Sequence, residues 1–168
     1  VCSSDLDLLS FLNRIKAPVI ETRPVPAVWV AAGNCLIGDA KKTKNSMAVT
    51  ALSRYGFNQL VGYTVPSWYG KGGWGTLGLL FSNHDASSLA EAWYLNNQFI
   101  LDETMTRFPK LMDVHFNSPD INGIKNDPDF ARGMNSAGYG MGKDQLGLIH
   151  DRDTVAFYGD PAWTARLD

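Results

Sequence analysis

Ala27-Val28-Trp29-Val30-Ala31-Ala32-Gly33-Asn34-Cys35 is the stretch from which the rest of the chain is read. An unbroken apolar run bounded by Pro26 and Gly33 has the character of a strand buried on both faces. Upstream, Pro18, Pro24 and Pro26 forbid a helix interior and make residues 18–26 an extended loop. Downstream, Lys41-Lys42-Thr43-Lys44 is a solvated loop. Asn45 is then placed to cap a helix running to Tyr55, with Met47, Ala51, Leu52 and Tyr55 on one face and Gly56 as its stop. Asn58 to Thr64 follows as a second strand. Strand, helix and strand in that order predict an α/β domain with a largely parallel sheet.

Further along, Ser88-Leu89-Ala90-Glu91 is a capping-box pattern. It opens a helix whose buried stripe is Leu89, Ala92, Trp93 and Ile100, with Pro109 beyond its end. Residues 109–150 read as loop-rich. Asp153 to Tyr158 reads as a last strand, closed by Gly159-Asp160-Pro161. In the segment Asp7 to Lys16, the spacing of Leu8, Leu9, Phe11, Leu12 and Ile15 fits helix and strand equally.

Across 168 residues, 45% are hydrophobic and 19% charged, with a formal net charge of −2. That composition buries a core and excludes intrinsic disorder. It leaves no basic footprint for nucleic acid or for an acidic membrane surface. No apolar run approaches the ~18 residues a membrane span requires, and no signal-peptide pattern is present. The opening hexapeptide Val1-Cys2-Ser3-Ser4-Asp5-Leu6 resembles the translation of a sequencing adapter. Residues 1–6 are therefore expected to be an artefact, which leaves Cys35 as the one genuine thiol.

Cys35 is the sharpest chemical feature, because reactive groups in an open α/β sheet gather just outside the carboxyl ends of strands. A thiol there is either a nucleophile or a buried, inert cysteine. A nucleophilic cysteine needs a base, usually histidine. His84, His115 and His150 all follow it in the chain, and His150 is adjacent to Asp151 and able to pair with it. None shows the close spacing of metal ligands. Gly70-Lys71-Gly72-Gly73-Trp74-Gly75 matches G-x-G-x-x-G in form. Residues 65–69 nevertheless separate it from the strand that the dinucleotide fingerprint requires, so a flexible glycine loop beside a pocket is expected, walled by Trp68, Tyr69 and Trp74. No cofactor is implied. Asp120, Asn122 and Asp129 approach the spacing of a calcium loop, against a plain Asx-rich turn.

These pieces resemble, in order, the gingipain-type cysteine peptidases with their caspase-like fold. The resemblance is carried by the strand ending in Ala32-Gly33-Asn34-Cys35 and the helix from Asn45 to Tyr55. Leu60 to Tyr69 and the closing Val155 to Trp163 complete it, and the likeness is to bacterial members. The resemblance implies a three-layer caspase-like sandwich, incomplete at its N-terminus, with residues 7–168 expected to be a partial domain cut at both ends. It implies endopeptidase chemistry by a Cys–His dyad on a peptide or protein substrate, with Cys35 as nucleophile and its own N–H in the oxyanion hole. Thr64 to Trp68 would wall the pocket for the residue preceding the scissile bond, so Thr64, Trp68, Tyr69 and Trp74 are the candidate substrate-binding residues. The family places its His-Gly on the strand before the cysteine strand, and no histidine precedes Cys35. The chain itself is therefore expected to be inactive. The alternative is a non-catalytic caspase-like module of a larger surface or scaffold protein. A glutaminase elbow, G-x-C-x-G, fails at Ile37.

Overall fold

The computed structural model describes residues 27–40, 46–67, 69–82, 88–115, 127–140 and 142–164. Its elements follow one another as β1 (Ala27–Val30), α1 (Met47–Arg54), β2 (Phe57–Tyr63), α2 (Lys71–Ser82), α3 (Leu89–Arg107), a 3-10 turn (Pro109–Asp113), α4 (Pro128–Ala137), α5 (Lys143–Thr154) and β3 (Val155–Gly159). The strands form one sheet in the order β1-β2-β3. β1 pairs parallel with β2, and β2 pairs antiparallel with β3. The protein is thus mixed α/β, and its described sheet is mixed where a largely parallel one was expected. β3 follows α5 without an intervening loop and lies antiparallel on the edge of β2.

Alternation along β2 sends its side chains to opposite faces. Leu60 packs with Ala31, Met47, Ala48 and Ala51, so α1 covers one face of the sheet. Val61 and Tyr63 pack with Leu80, Leu89, Ala92 and Val155, so α2 and α3 cover the other. A third cluster, with Leu111, Phe130, Met134 and Ile149, joins α4, α5 and the 3-10 turn. Among the described residues no helix is long and apolar enough to cross a membrane.

The local rules explain most helix ends. Ser46 caps α1 by accepting from Val49 N at 3.3 Å, a role expected of Asn45, which lies outside the described residues. Ser88 and Glu91 make the reciprocal capping box, at 3.2 and 2.7 Å. The supposed loop over 109–150 contains two helices. Asp127 caps α4 by accepting from Asp129 N and Phe130 N, Pro128 opens it, and Gly138 ends it in the left-handed region at φ 75°. In α5, Gly147 through Asp151 are consecutively buried, so the helix has no amphipathic stripe by which to recognise it.

The glycine-rich segment also departs from expectation. It is the first turns of α2, and its glycines are contact points rather than hinges. A Cβ on Gly73 would stand 2.0 Å from the Ala32 carbonyl oxygen, and one on Gly75 2.0 Å from Asn96 Oδ1. Gly78, in the same helix, faces open space. Two substitutions in α2 should therefore have opposite signs. Gly73→Ala should cost about 1–3 kcal/mol or more by forcing the helix off Ala32, whereas Gly78→Ala should stabilise by roughly 0.5–1 kcal/mol. Urea unfolding of both variants checks this, and equal shifts would contradict the packing.

Candidate functional site

Beyond β1 the pairing continues for one more residue, with Ala31 N donating to Val61 O at 2.9 Å. The chain then turns sharply. The turn is fixed to the end of β2 by Leu36 N donating to Val65 O at 3.3 Å and Gly38 N to Tyr63 O at 2.9 Å. From β3, Tyr158 OH donates to Gly38 O at 2.6 Å. Leu36 is held at φ 62°, a left-handed conformation costing a non-glycine residue about 1–2 kcal/mol. Strain of this kind persists only where the surroundings enforce it, and here it directly follows Cys35.

The Cys35 side chain is buried beneath the loop that leaves β2. Its Sγ accepts from Ser67 N at 3.2 Å, and Ser67 Oγ donates to Gly33 O at 2.7 Å. Cys35 is disulfide-bonded in this structure, which departs from its expected place as the sole genuine thiol. A disulfide sulfur carries no proton, so its 3.6 Å approach to Ser67 O becomes a hydrogen bond only after reduction. Cys2 lies outside the described residues.

On the far side of the same loop stands a buried polar network. His150 Nδ1 lies 3.0 Å from Asp151 Oδ1, and Nε2 lies 3.0 Å from Pro66 O. Both side chains are fully shielded from solvent. Asp151 Oδ2 accepts from Gly72 N at 2.8 Å, at the N-terminus of α2, where the helix dipole favours negative charge. The ring of His150 therefore faces the Asp151 carboxyl group through Nδ1 and a carbonyl oxygen, which can only accept, through Nε2. Tyr63 OH accepts from Gly73 N at 3.3 Å, and its ring stacks on His150 at 5.9 Å. Burial, then the Asp151 charge, raises the Tyr63 hydroxyl above its ordinary range. Because Asp151 and Tyr63 occupy the first amides of α2, that helix end is already filled. This is the physical reason the G-x-G-x-x-G segment makes no dinucleotide cradle.

An open groove of about 540 Å³ lies between α2 and α3, lined in part by Tyr69, Lys71, Trp74, Phe99, Ile100 and Glu103. Trp74 reaches from this groove to Gly33, where a Cβ would come 3.2 Å from its Nε1. Two of the expected substrate-binding residues, Tyr69 and Trp74, thus share one surface beside the Cys35 turn. Thr64 does not join them. Its hydroxyl and amide both donate to Thr154 O, at 3.1 and 2.9 Å, and so tie the β2 exit to α5. Trp68 lies outside the described residues.

A chain of charges borders the groove. Glu103 accepts from Lys71 at 2.5 Å and from Arg107 at 2.6 Å, and Arg107 reaches Asp144 at 2.7 Å. The Lys71 hydrogen bond is the main reason the Glu103 carboxyl is held below its usual range. Tyr69 OH donates to Asp144 Oδ1 at 3.1 Å, and burial followed by Asp144 pushes its hydroxyl up to about 12.

The remaining candidates separate. His115 is exposed beside Asp153 and Arg152, and His84 lies outside the described residues. Asp120 and Asn122 also lie outside them, while Asp129 stands exposed in the first turn of α4, paired with Arg132. Among the described residues no group of three or more His, Cys, Asp or Glu side chains could hold a metal ion. Local reading singled out the His150–Asp151 adjacency but missed Tyr63, Gly72 and Ser67, whose contacts span many residues. Set against family models, curated proteins and solved structures, the chain finds no match.

Two outcomes follow from this geometry. Asp151→Asn puts an amide group where the buried side chain meets both Gly72 N and His150 Nδ1, leaves one of those contacts mismatched, and should cost about 1–3 kcal/mol in denaturant unfolding. The stability that neutral Tyr69 contributes is complete below the unfolded-state value of about 10 and is lost as pH rises toward about 12. Tyr69→Phe should therefore flatten the decline in unfolding free energy measured between about pH 10 and 12. An unchanged slope would contradict the Tyr69–Asp144 bond.

Proposed function

We propose that this chain is part of a caspase-like cysteine peptidase domain of the gingipain type, a three-layer sandwich in which reduced Cys35 is the nucleophile. The observation that carries the reading is the Cys35 turn. A cysteine at the carboxyl end of a parallel strand is followed by a strained residue, and its sulfur receives a backbone N–H. An amide donor to sulfur favours the thiolate, which is the attacking form. Helices on both faces of the sheet agree with the sandwich.

On this reading the thiolate attacks the peptide carbonyl carbon and forms a C–S bond. The tetrahedral oxyanion is held by backbone N–H groups, and the leaving amine takes a proton from a histidine as the C–N bond breaks. Water then hydrolyses the thioester and restores the thiol. Both ring nitrogens of His150 are engaged, by Asp151 and Pro66. The proposal therefore assigns the acid–base role to a His-Gly contributed from outside the described residues. Tyr69 and Trp74 form a substrate wall.

The second reading, a non-catalytic module, is favoured by one observation: the ring nitrogens of His150 meet Asp151 and Pro66 rather than the Cys35 sulfur. A single experiment separates the two. The reading frame is extended upstream of this chain, and the reduced protein is treated with a peptidyl acyloxymethyl ketone. Covalent labelling that disappears in Cys35→Ala is the result expected of the peptidase. Labelling that survives Cys35→Ala sinks the assignment, and no labelling of the reduced protein selects the module.

A further inference from the structure

Pro66 O and Ser67 N belong to one peptide unit, and the two ends of that unit meet different partners. His150 Nε2 lies 3.0 Å from the carbonyl oxygen, and the amide donates to Cys35 Sγ at 3.2 Å. We propose that the buried Asp151–His150 pair positions and polarises the Pro66–Ser67 peptide, so that the Ser67 amide holds the reduced Cys35 sulfur as a thiolate. His150 and Asp151 are then positioning residues that act on the nucleophile through the backbone, without touching the substrate. The inference rests on the reading of Cys35 as a nucleophile.

The physics follows from the arrangement. A hydrogen bond donated to a carbonyl withdraws density from the amide nitrogen, and the amide becomes the stronger donor. Inside a protein this polarisation is screened less than in water. The geometry also fixes direction. Ser67 Oγ donates to Gly33 O at 2.7 Å, which orients the Ser67 side of the peptide toward the Cys35 turn. The groups packed around the relay are Asp151 on α5, the first amides of α2, and Tyr63 on β2. Tyr63 is neutral through the working range because burial raises its hydroxyl.

The test uses the Cys2→Ser protein, in which Cys35 is the single cysteine. Iodoacetamide forms a C–S bond with the thiolate and releases iodide, and its rate against pH reads the fraction ionised. His150→Gln should move the midpoint of that profile up by about one pH unit and slow alkylation at pH 7 about tenfold. An unchanged midpoint overturns the proposal. So does faster alkylation at every pH, which reports a loop that has merely opened. Should His150→Gln fail to fold, NMR of the Cys2→Ser protein decides instead. The Ser67 amide proton and the His150 Nε2 resonance are expected to shift with the same midpoint as the alkylation profile, and a Ser67 amide that does not move with it overturns the proposal. Alkylation needs only a thiol. A normal relay without labelling by the peptidyl probe would therefore remove the peptidase reading alone.

Discussion

Asp151 carries its carboxyl group into a place shielded from solvent, between the ring of His150 and the first amides of α2. Buried ionic groups cost free energy unless every lone pair and proton finds a partner. Here one carboxylate oxygen takes the imidazole, the other takes the Gly72 amide, and the second imidazole nitrogen takes the Pro66 carbonyl. That requirement locks three elements together: α5, the loop leaving β2, and the start of α2 that directly follows this loop. The Cys35 turn is the fourth, because the loop that receives His150 also delivers the Ser67 amide to sulfur.

The glycines of α2 follow from the same constraint. For the helix to present its first amides to Asp151 and Tyr63, its backbone must approach Ala32 and Val155 closely. A Cβ on Gly72 would stand 2.5 Å from Val155 Cγ2, as one on Gly73 would foul Ala32. A side chain at either position would push the helix away from the carboxylate. A segment that looks like a flexible phosphate loop is thus a close-packed junction between helix and sheet. The feature that excludes a nucleotide is the one that organises the site.

Wherever structure depends on neighbours in sequence, it was legible. The apolar run at 27–30, the helix ending near Gly56, the strand through Val61 and the Ser88–Glu91 capping box each rest on propensities and caps within a few residues. The pairing of His150 with Asp151 was open for the same reason. What local signals could not carry is α5, buried without a break from Gly147 to Asp151, and the helical state of Lys71–Ser82, whose glycines argue against a helix until their packing partners are known. The tie from Thr64 to the Thr154 carbonyl, ninety positions on, was equally out of reach of local signals.

By itself, then, the sequence determined an α/β chain with a cysteine just past the carboxyl end of its first described strand. Periodicity, caps and breakers act over one or two turns of chain, and each residue carries them wherever it is. Only the tertiary structure decided that β3 runs antiparallel, that α2 starts on a buried carboxylate, and that one peptide bond stands between His150 and Cys35. Those features depend on desolvation and close approach between segments far apart in sequence. Their free energies come into being when the segments meet.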